Sequence, residues 1–254
     1  MNDQHIRSAY DRDLEAIQAL ILKMGGLVEE AILQGGEALA ARDVEAAERV
    51  RAGDAAIDAL EERVNEEVAR AIALRAPVSR DLRILLSVLK LASALERIGD
   101  YAKNIAKRVT VLAEARGIEG ADGSLRRMAR EVQGMLKDTL DAFVRRDEGL
   151  ARDVVARDEG VDQMYNALFR EVLTFMMEDP RTITACMHLH FVAKNLERMG
   201  DLVTNMAEQV IYLVTGARPE EDRPKGDRTA FMGAPDGEPA DGRADGRADG
   251  RAGP

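Results

Sequence analysis

One acidic motif occurs twice at matched positions, and that doubling limits the possible folds more than any other feature of the chain. Glu96-Arg97-Ile98-Gly99-Asp100 returns as Glu197-Arg198-Met199-Gly200-Asp201, and Asn104 and Ala106 return as Asn205 and Ala207. Upstream, Asp54 and Asp58 return as Asp158 and Asp162. The first echo is offset by 101 residues (96 to 197) and the second by 104 (54 to 158). The chain therefore divides into two homologous halves, each with two (E/D)xxxD motifs. Residues four apart on a helix share a face, so each motif sets two carboxylates side by side.

Helical periodicity runs from about Asp3 to Thr215. It breaks near Arg42-Asp43, Pro77, Gly117 to Gly123, Arg146-Asp147 and Pro180. Five breaks predict six helices, with Asp43, Ser79, Ser124 and Asp147 as N-caps because a short side-chain oxygen can accept a free first-turn N–H. Ile57, Leu60, Val64, Val68 and Ala71 form one apolar stripe. Ile84, Val88, Leu91, Leu95, Ile98, Ala102, Ile105 and Val109 form another, at the spacing of an amphipathic helix. Gly25-Gly26 and Gly35-Gly36 interrupt the first helix, which predicts a kink or a close helix contact there. Long helices joined by short breaks predict an all-α fold of antiparallel bundles. The expected units are a three-helix bundle over 1–116, a second over 117–216, and a tail over 217–254. The tail is rich in Pro, Gly, Asp and Arg, and is expected to be disordered.

The acidic pairs are placed symmetrically about the breaks. Asp54/Asp58 centres on position 56 and Glu96/Asp100 on 98, and their midpoint is Pro77. Asp158/Asp162 and Glu197/Asp201 have their midpoint at the Asp179-Pro180 junction. In an antiparallel hairpin, residues equidistant from the turn lie at the same height. Each half is thus expected to bring four carboxylates level, about 30 Å from its turn at roughly 1.5 Å per residue, and beside the apolar stripe rather than in the core.

Gathered carboxylates repel one another and need a compensator. Arg97 and Arg198 are one possibility, although each points about 100° from its neighbouring Glu. Multivalent cations are the other. Oxygen ligands suit hard ions such as Mg²⁺, Mn²⁺, Ca²⁺ or iron, with Zn²⁺ also considered, and bridging carboxylates allow more than one ion per site. Asn104 and Asn205 are supporting candidates. His188 and His190, two apart, diverge on a helix and read as no shared metal site, and Cys186 reads as a small core residue. No catalytic residue is nominated.

Composition narrows the function. The net charge is −10, a poor basis for binding nucleic acid through phosphate neutralisation. One cysteine fits a reducing compartment. Met1 to Arg12 is polar and charged, so no signal peptide is expected, and no stretch reaches the roughly 20 apolar residues of a membrane span. A cytoplasmic protein is expected.

Leu95-Glu96-Arg97-Ile98-Gly99-Asp100 with Asn104-Ile105-Ala106, and Leu196-Glu197-Arg198-Met199-Gly200-Asp201 with Asn205-Met206-Ala207, resemble the doubled signature of the PhoU family. Tyr10-Asp11, Leu14 and Met24-Gly25 resemble that family's opening helix, so the likeness spans about Met1 to Gly216. The resemblance implies two similar three-helix bundles related by approximate twofold symmetry, in a cytoplasmic, usually dimeric protein. It implies multinuclear metal clusters on Asp54, Asp58, Glu96 and Asp100 in one half and on Asp158, Asp162, Glu197 and Asp201 in the other. It also implies restraint of phosphate uptake and of the phosphate-starvation response, exercised between the ATPase subunit of a phosphate-specific ABC transporter and a sensor histidine kinase. The expected function is a non-enzymatic regulator. A metal-dependent hydrolase using the clustered carboxylates is the alternative, and a purely structural helical adaptor is the third reading.

Overall fold

The computed structural model describes residues 2–115, 117–118, 120–217 and 219, the side chains of 2–9 excepted. Its elements are α1 (Asn2–Ala41), α2 (Val44–Arg75), α3 (Ser79–Glu114), α4 (Ala121–Arg145), α5 (Glu148–Glu178) and α6 (Ile183–Thr215), with a 3₁₀ turn at Pro180–Thr182. The six helices fall at the expected breaks. Apart from Ala217 and Pro219, the tail expected to be disordered lies outside the described residues.

The first connection of each half is built alike. Arg42 and Arg146 are left-handed (φ 54° and 56°), and each is followed by an aspartate. Asp43 N–H donates to Ala38 O at 2.9 Å and Asp147 N–H to Ala142 O at 3.0 Å, closing the preceding helix. Asp43 Oδ1 then accepts from Ala46 N and Asp147 Oδ1 from Leu150 N, capping the next helix. The second connections differ. The first half uses a left-handed Ala76 before Pro77, whereas the second uses the 3₁₀ turn, where Thr182 Oγ1 donates to Phe175 O and Asp179 O. The second half is three residues shorter here, which is why the offset falls from 104 to 101.

Two expected caps are corrected. Ser79 is the first residue of α3, with φ 50°, and the N-cap is Val78, which offers no side-chain oxygen. Helix α4 starts three residues before Ser124, after Gly120 at φ 83°. A positive φ is cheap for glycine, so glycine rather than serine opens that helix. Ser124 instead accepts from Arg127 Nη2 at 2.9 Å.

Within each half the three helices pack on one another. The halves join where α1 meets α4 and α3 meets α6, contacts that an approximate twofold carries into themselves. The apolar stripes of α2 and α3 are buried, with Ile84 only half-buried at the open end, and all of them belong to one continuous core. Helix α1 runs unbroken through its glycines. A Cβ on Gly36 would stand 3.0 Å from Ala129 Cβ, so the glycine permits close approach of α1 and α4 rather than a kink. Among the described residues no helix is long and apolar enough to cross a membrane.

Candidate functional site

The motif glycines set the height and closeness of the acidic pairs. A Cβ on Gly99 would stand 3.0 Å from Ile57 Cδ1 and 3.8 Å from Asp54 Oδ1. A Cβ on Gly200 would stand 3.2 Å from Val161 Cγ1 and 3.6 Å from Asp158 Oδ1. Ile57 and Val161, and Asp54 and Asp158, are repeat equivalents at the 104 offset. In each hairpin the glycine therefore lets the upstream aspartate rest against the downstream helix, at the height predicted from the turn.

In the first half the carboxylates of α2 and α3 gather round Lys103. Asp54 is buried and accepts from Lys103 Nζ, and that ammonium lies 3.8 Å from Asp100 Oδ1. Its hydrogen bond to Asp54 holds the Lys103 pKa above the ordinary lysine value. Desolvation, then the charge of Asp54, raises Asp58. Desolvation, then Asp100, Glu61, Asp58 and Asp54, raises Glu96. The four predicted carboxylates thus feel one another, and Glu61 joins them. Asp58 and Asp100 face solvent, and Glu96 is half-buried.

The second half arranges the same motif differently. Glu197 is 6% exposed. Its Oε1 accepts from Lys194 Nζ at 2.9 Å, while its Oε2 is buried without a hydrogen-bond partner. Desolvation holds its carboxyl above the usual range, with Asp201 and Asp162 pushing the same way and Lys194 opposing. Lys194 Nζ also lies 4.9 Å from the Tyr165 ring centroid, a cation–π contact. Asp162 is buried, and Asp158 and Asp201 are half-buried. The expectation that all the pairs stay outside the core is corrected at Asp54, Asp162 and Glu197. At Gly99 the close approach draws Asp54 under its neighbouring helix, whereas the aspartate resting on Gly200 is Asp158, which stays half-buried.

Of the two compensators considered from the sequence, the arginines do not reach the carboxylates. Arg97 and Arg198 are exposed, and among the described residues neither forms an ion pair. Lys103 and Lys194 take that role. Each stands three residues from an acid of its motif, a spacing that marks neighbours on a helix and was visible in the chain. They are not repeat equivalents, since the counterpart of Lys103 is Thr204 and that of Lys194 is Ser93. Asn104 Oδ1 accepts from Lys107, and Asn205 lines a groove between α3 and α6.

An all-oxygen donor set suits a hard cation. The orphaned Glu197 Oε2 is an observation that fits one, because a buried carboxylate oxygen without a partner is costly. Among the described residues no three Asp, Glu, His or Cys side chains stand close enough to hold an ion in this arrangement.

The comparisons with known proteins match this doubled layout. The model of the PhoU domain matches twice, over residues 21–109 and 125–210. The chain is 46% identical over 222 residues to a phosphate-specific transport system accessory protein PhoU homolog of Caulobacter vibrioides, covering 87% of this chain and 96% of that one. It is 41% identical over 241 residues to the homolog of Rhizobium meliloti, covering 92% and 99%. The crystal structure of PhoU from Pseudomonas aeruginosa superposes with a TM-score of 0.79 at 39% identity, covering 82% of this chain and 100% of that one. The phosphate transport system regulatory protein PhoU from Streptococcus pneumoniae superposes at 0.77 with 32% identity, covering 84% and 100%. With one domain match on each half and two acidic hairpins in register, the chain belongs to the PhoU domain family.

Proposed function

We propose that this chain is a non-enzymatic accessory regulator of phosphate transport, restraining phosphate uptake and the phosphate-starvation response. In this reading it works in the cytoplasm as a homodimer, between the ATPase subunit of a phosphate-specific ABC transporter and a sensor histidine kinase. Its two acidic hairpins hold hard multivalent cations on Asp54, Asp58, Glu96 and Asp100, and on Asp158, Asp162, Glu197 and Asp201. The observation that carries the reading is the match of both halves to the PhoU domain over the same hairpin geometry. The printed role of the relatives, accessory to phosphate-specific transport, supports its coarser part.

Deletion of the gene tests the regulatory part. Expression of a phosphate-starvation reporter at high phosphate is expected to rise, and unchanged expression would refute the reading. Elemental analysis by plasma mass spectrometry tests the metal part, comparing the chain with a variant carrying Asp100→Asn and Asp201→Asn. Metal lost in the variant supports ligation. Equal, negligible metal in both, in samples never exposed to chelator, removes it. Phosphomonoester turnover that requires Mn²⁺ and disappears in Asp100→Asn would replace the regulator with the hydrolase.

A further inference from the structure

The repeat places an arginine at the same turn of each half, and only one of the two finds acceptors. Arg42 and Arg146 are equivalent at the 104 offset, and both are left-handed. Arg42 Nη1 donates to Leu112 O at 2.8 Å and to Ala115 O at 2.5 Å, and its Nη2 lies 3.7 Å from Asp122 Oδ2. It thereby caps the end of α3. At the 101 offset Leu112 and Ala115 correspond to Leu213 and Gly216, at the end of α6. That helix ends differently. Gly216 is left-handed (φ 82°) and donates its N–H to Tyr212 O at 2.9 Å. Arg83 of α3 lies over the Tyr212 ring at 5.5 Å and against Gly216, where any Cβ would collide with its guanidinium.

Arg146 lacks its counterpart's acceptors. It is half-buried, its guanidinium stands 5.3 Å from the Phe143 ring centroid, and its Nη1 is buried without a hydrogen-bond partner. A buried donor left unpaired is costly, and more so when it carries charge. A second cation adds to the cost. Burial, then the charge of Arg80, holds the Arg146 pKa below the ordinary arginine value, so the two guanidinium groups stand close enough to repel. Arg83 follows Arg80 by three residues, one turn along the same face of α3. Among the described residues none of these three arginines forms an ion pair. The neighbouring acids are engaged elsewhere. Asp147 caps α5 through Leu150 N, Glu148 pairs with Arg152, and the charge of Asp81 acts on Tyr10 of α1. The start of α3, where Val78 offers no side-chain cap, adds the positive end of a helix dipole.

Guanidinium forks match the oxygens of a tetrahedral anion, two N–H groups to two oxygens. We propose that Arg146, Arg80 and Arg83 form a binding site for a tetrahedral oxyanion of the phosphate or sulfate class, with the buried Arg146 Nη1 as its anchoring donor and the α3 arginines supplying charge from the solvent side. The site is separate from the acidic hairpins. Glu96 follows Arg80 by 16 residues (80 to 96) on α3, about 24 Å at 1.5 Å per residue. This inference does not rest on the proposed function.

The test is equilibrium dialysis of the full chain against radiolabelled inorganic phosphate, with a chelator present to keep metal from the acidic hairpins and chloride at equal ionic strength as the blank. Bound phosphate should approach about one ion per chain. Affinity should fall about tenfold or more in Arg146→Met and in Arg80→Met, the worth of one charge-assisted hydrogen bond. It should hold within about twofold in Arg97→Met, which removes an exposed charge from the same helix. Displacement by sulfate assigns a general oxyanion site, and retention against sulfate a phosphate-selective one. No binding above the chloride blank would overturn the site, as would binding that survives both substitutions. Urea unfolding in chloride separates the anchor from a structural cap. Arg42→Met should lower the midpoint, whereas Arg146→Met, which removes an unpaired charge, should not. An equal fall in both would make Arg146 a helix cap and overturn the proposal.

Discussion

Replacing Lys103 with methionine separates a buried ion pair from a decorative one. Methionine keeps most of the apolar stem and removes the ammonium, so the loss falls on Asp54. The Asp54 side chain is 5% exposed and that of Lys103 is 32% exposed. Breaking a fully buried pair costs about 3–5 kcal/mol, because it strands a charge. An exposed pair is worth about 0–1 kcal/mol. Here the acceptor is buried and the donor is one-third exposed, and Asp58, Glu96 and Asp100 add repulsion that the lysine had offset. The expected loss lies between those limits, at about 1.5–3 kcal/mol.

Urea unfolding followed by far-UV circular dichroism, in buffer containing a chelator, measures this loss. The midpoint should fall with the slope unchanged. Arg97→Met is the control, since Arg97 is exposed on the same helix and should change stability by no more than about 0.5 kcal/mol. A Lys103→Met loss below about 0.5 kcal/mol would show that Asp54 remains solvated without its partner. The account of Lys103 as the compensator of the cluster would then fail.

Glu197→Gln probes the second site through pH. Burial holds the folded Glu197 carboxyl above its ordinary value of 4.5, so the folded chain keeps that proton longer than the unfolded one. The resulting stability is fully present below the unfolded pKa and is lost as pH rises through the folded one. Thermal melts without divalent ions should therefore show a fall over the range above pH 4.5 that is shallower in Glu197→Gln, and an identical slope would contradict the assignment. Gly36→Leu would force a side chain onto Ala129 Cβ, 3.0 Å from the position of the first added atom, and should cost about 1–3 kcal/mol in a calorimetric melt. Arg157 holds Glu131 at 2.8 Å and Asp138 at 2.6 Å, tying α5 to α4 with all three side chains about one-third exposed. Arg157→Met should cost about 1 kcal/mol by urea unfolding, since charge-assisted bonds are strong but solvent screens these.

Much of the fold was legible because the determinants were local. The breaks at Arg42-Asp43 and Arg146-Asp147 followed from aspartate capping, and the stripe from Ile57 to Ala71 followed from helical periodicity. The equal height of Asp54 and Gly99 followed from counting residues to the turn. What escaped depended on the third dimension. Ser79 and Ser124 had the right chemistry for caps, but a left-handed Gly120 opened α4 earlier, and Val78 preceded α3. Burial of Glu197 and Asp162 escaped because helical angles place a residue on a face, whereas the distance between α5 and α6, set by Gly200 against Val161, decides how much water that face keeps. Lys103 and Lys194 were visible at i,i+3 spacing, but a reading built on the repeat passes over residues that do not repeat.

That non-repetition bears on how the two halves could differ in use. The backbone device is shared: a glycine in the downstream helix admits an aspartate from the upstream one, at Gly99 with Asp54 and at Gly200 with Asp158. The charge balance is not shared. In the first half Lys103 reaches the upstream Asp54 and lies near Asp100, with Asp58 and Asp100 open to water. In the second half Lys194 reaches Glu197 from the other side of the motif, is held against Tyr165, and leaves one buried carboxylate oxygen unsatisfied. The first site thus offers acids open to solvent, and the second a desolvated carboxylate oxygen beside a lysine packed on an aromatic ring. Two copies of one domain thus present two acidic sites that differ in burial and in charge balance, and the difference in charge balance arises from single lysines placed outside the repeat.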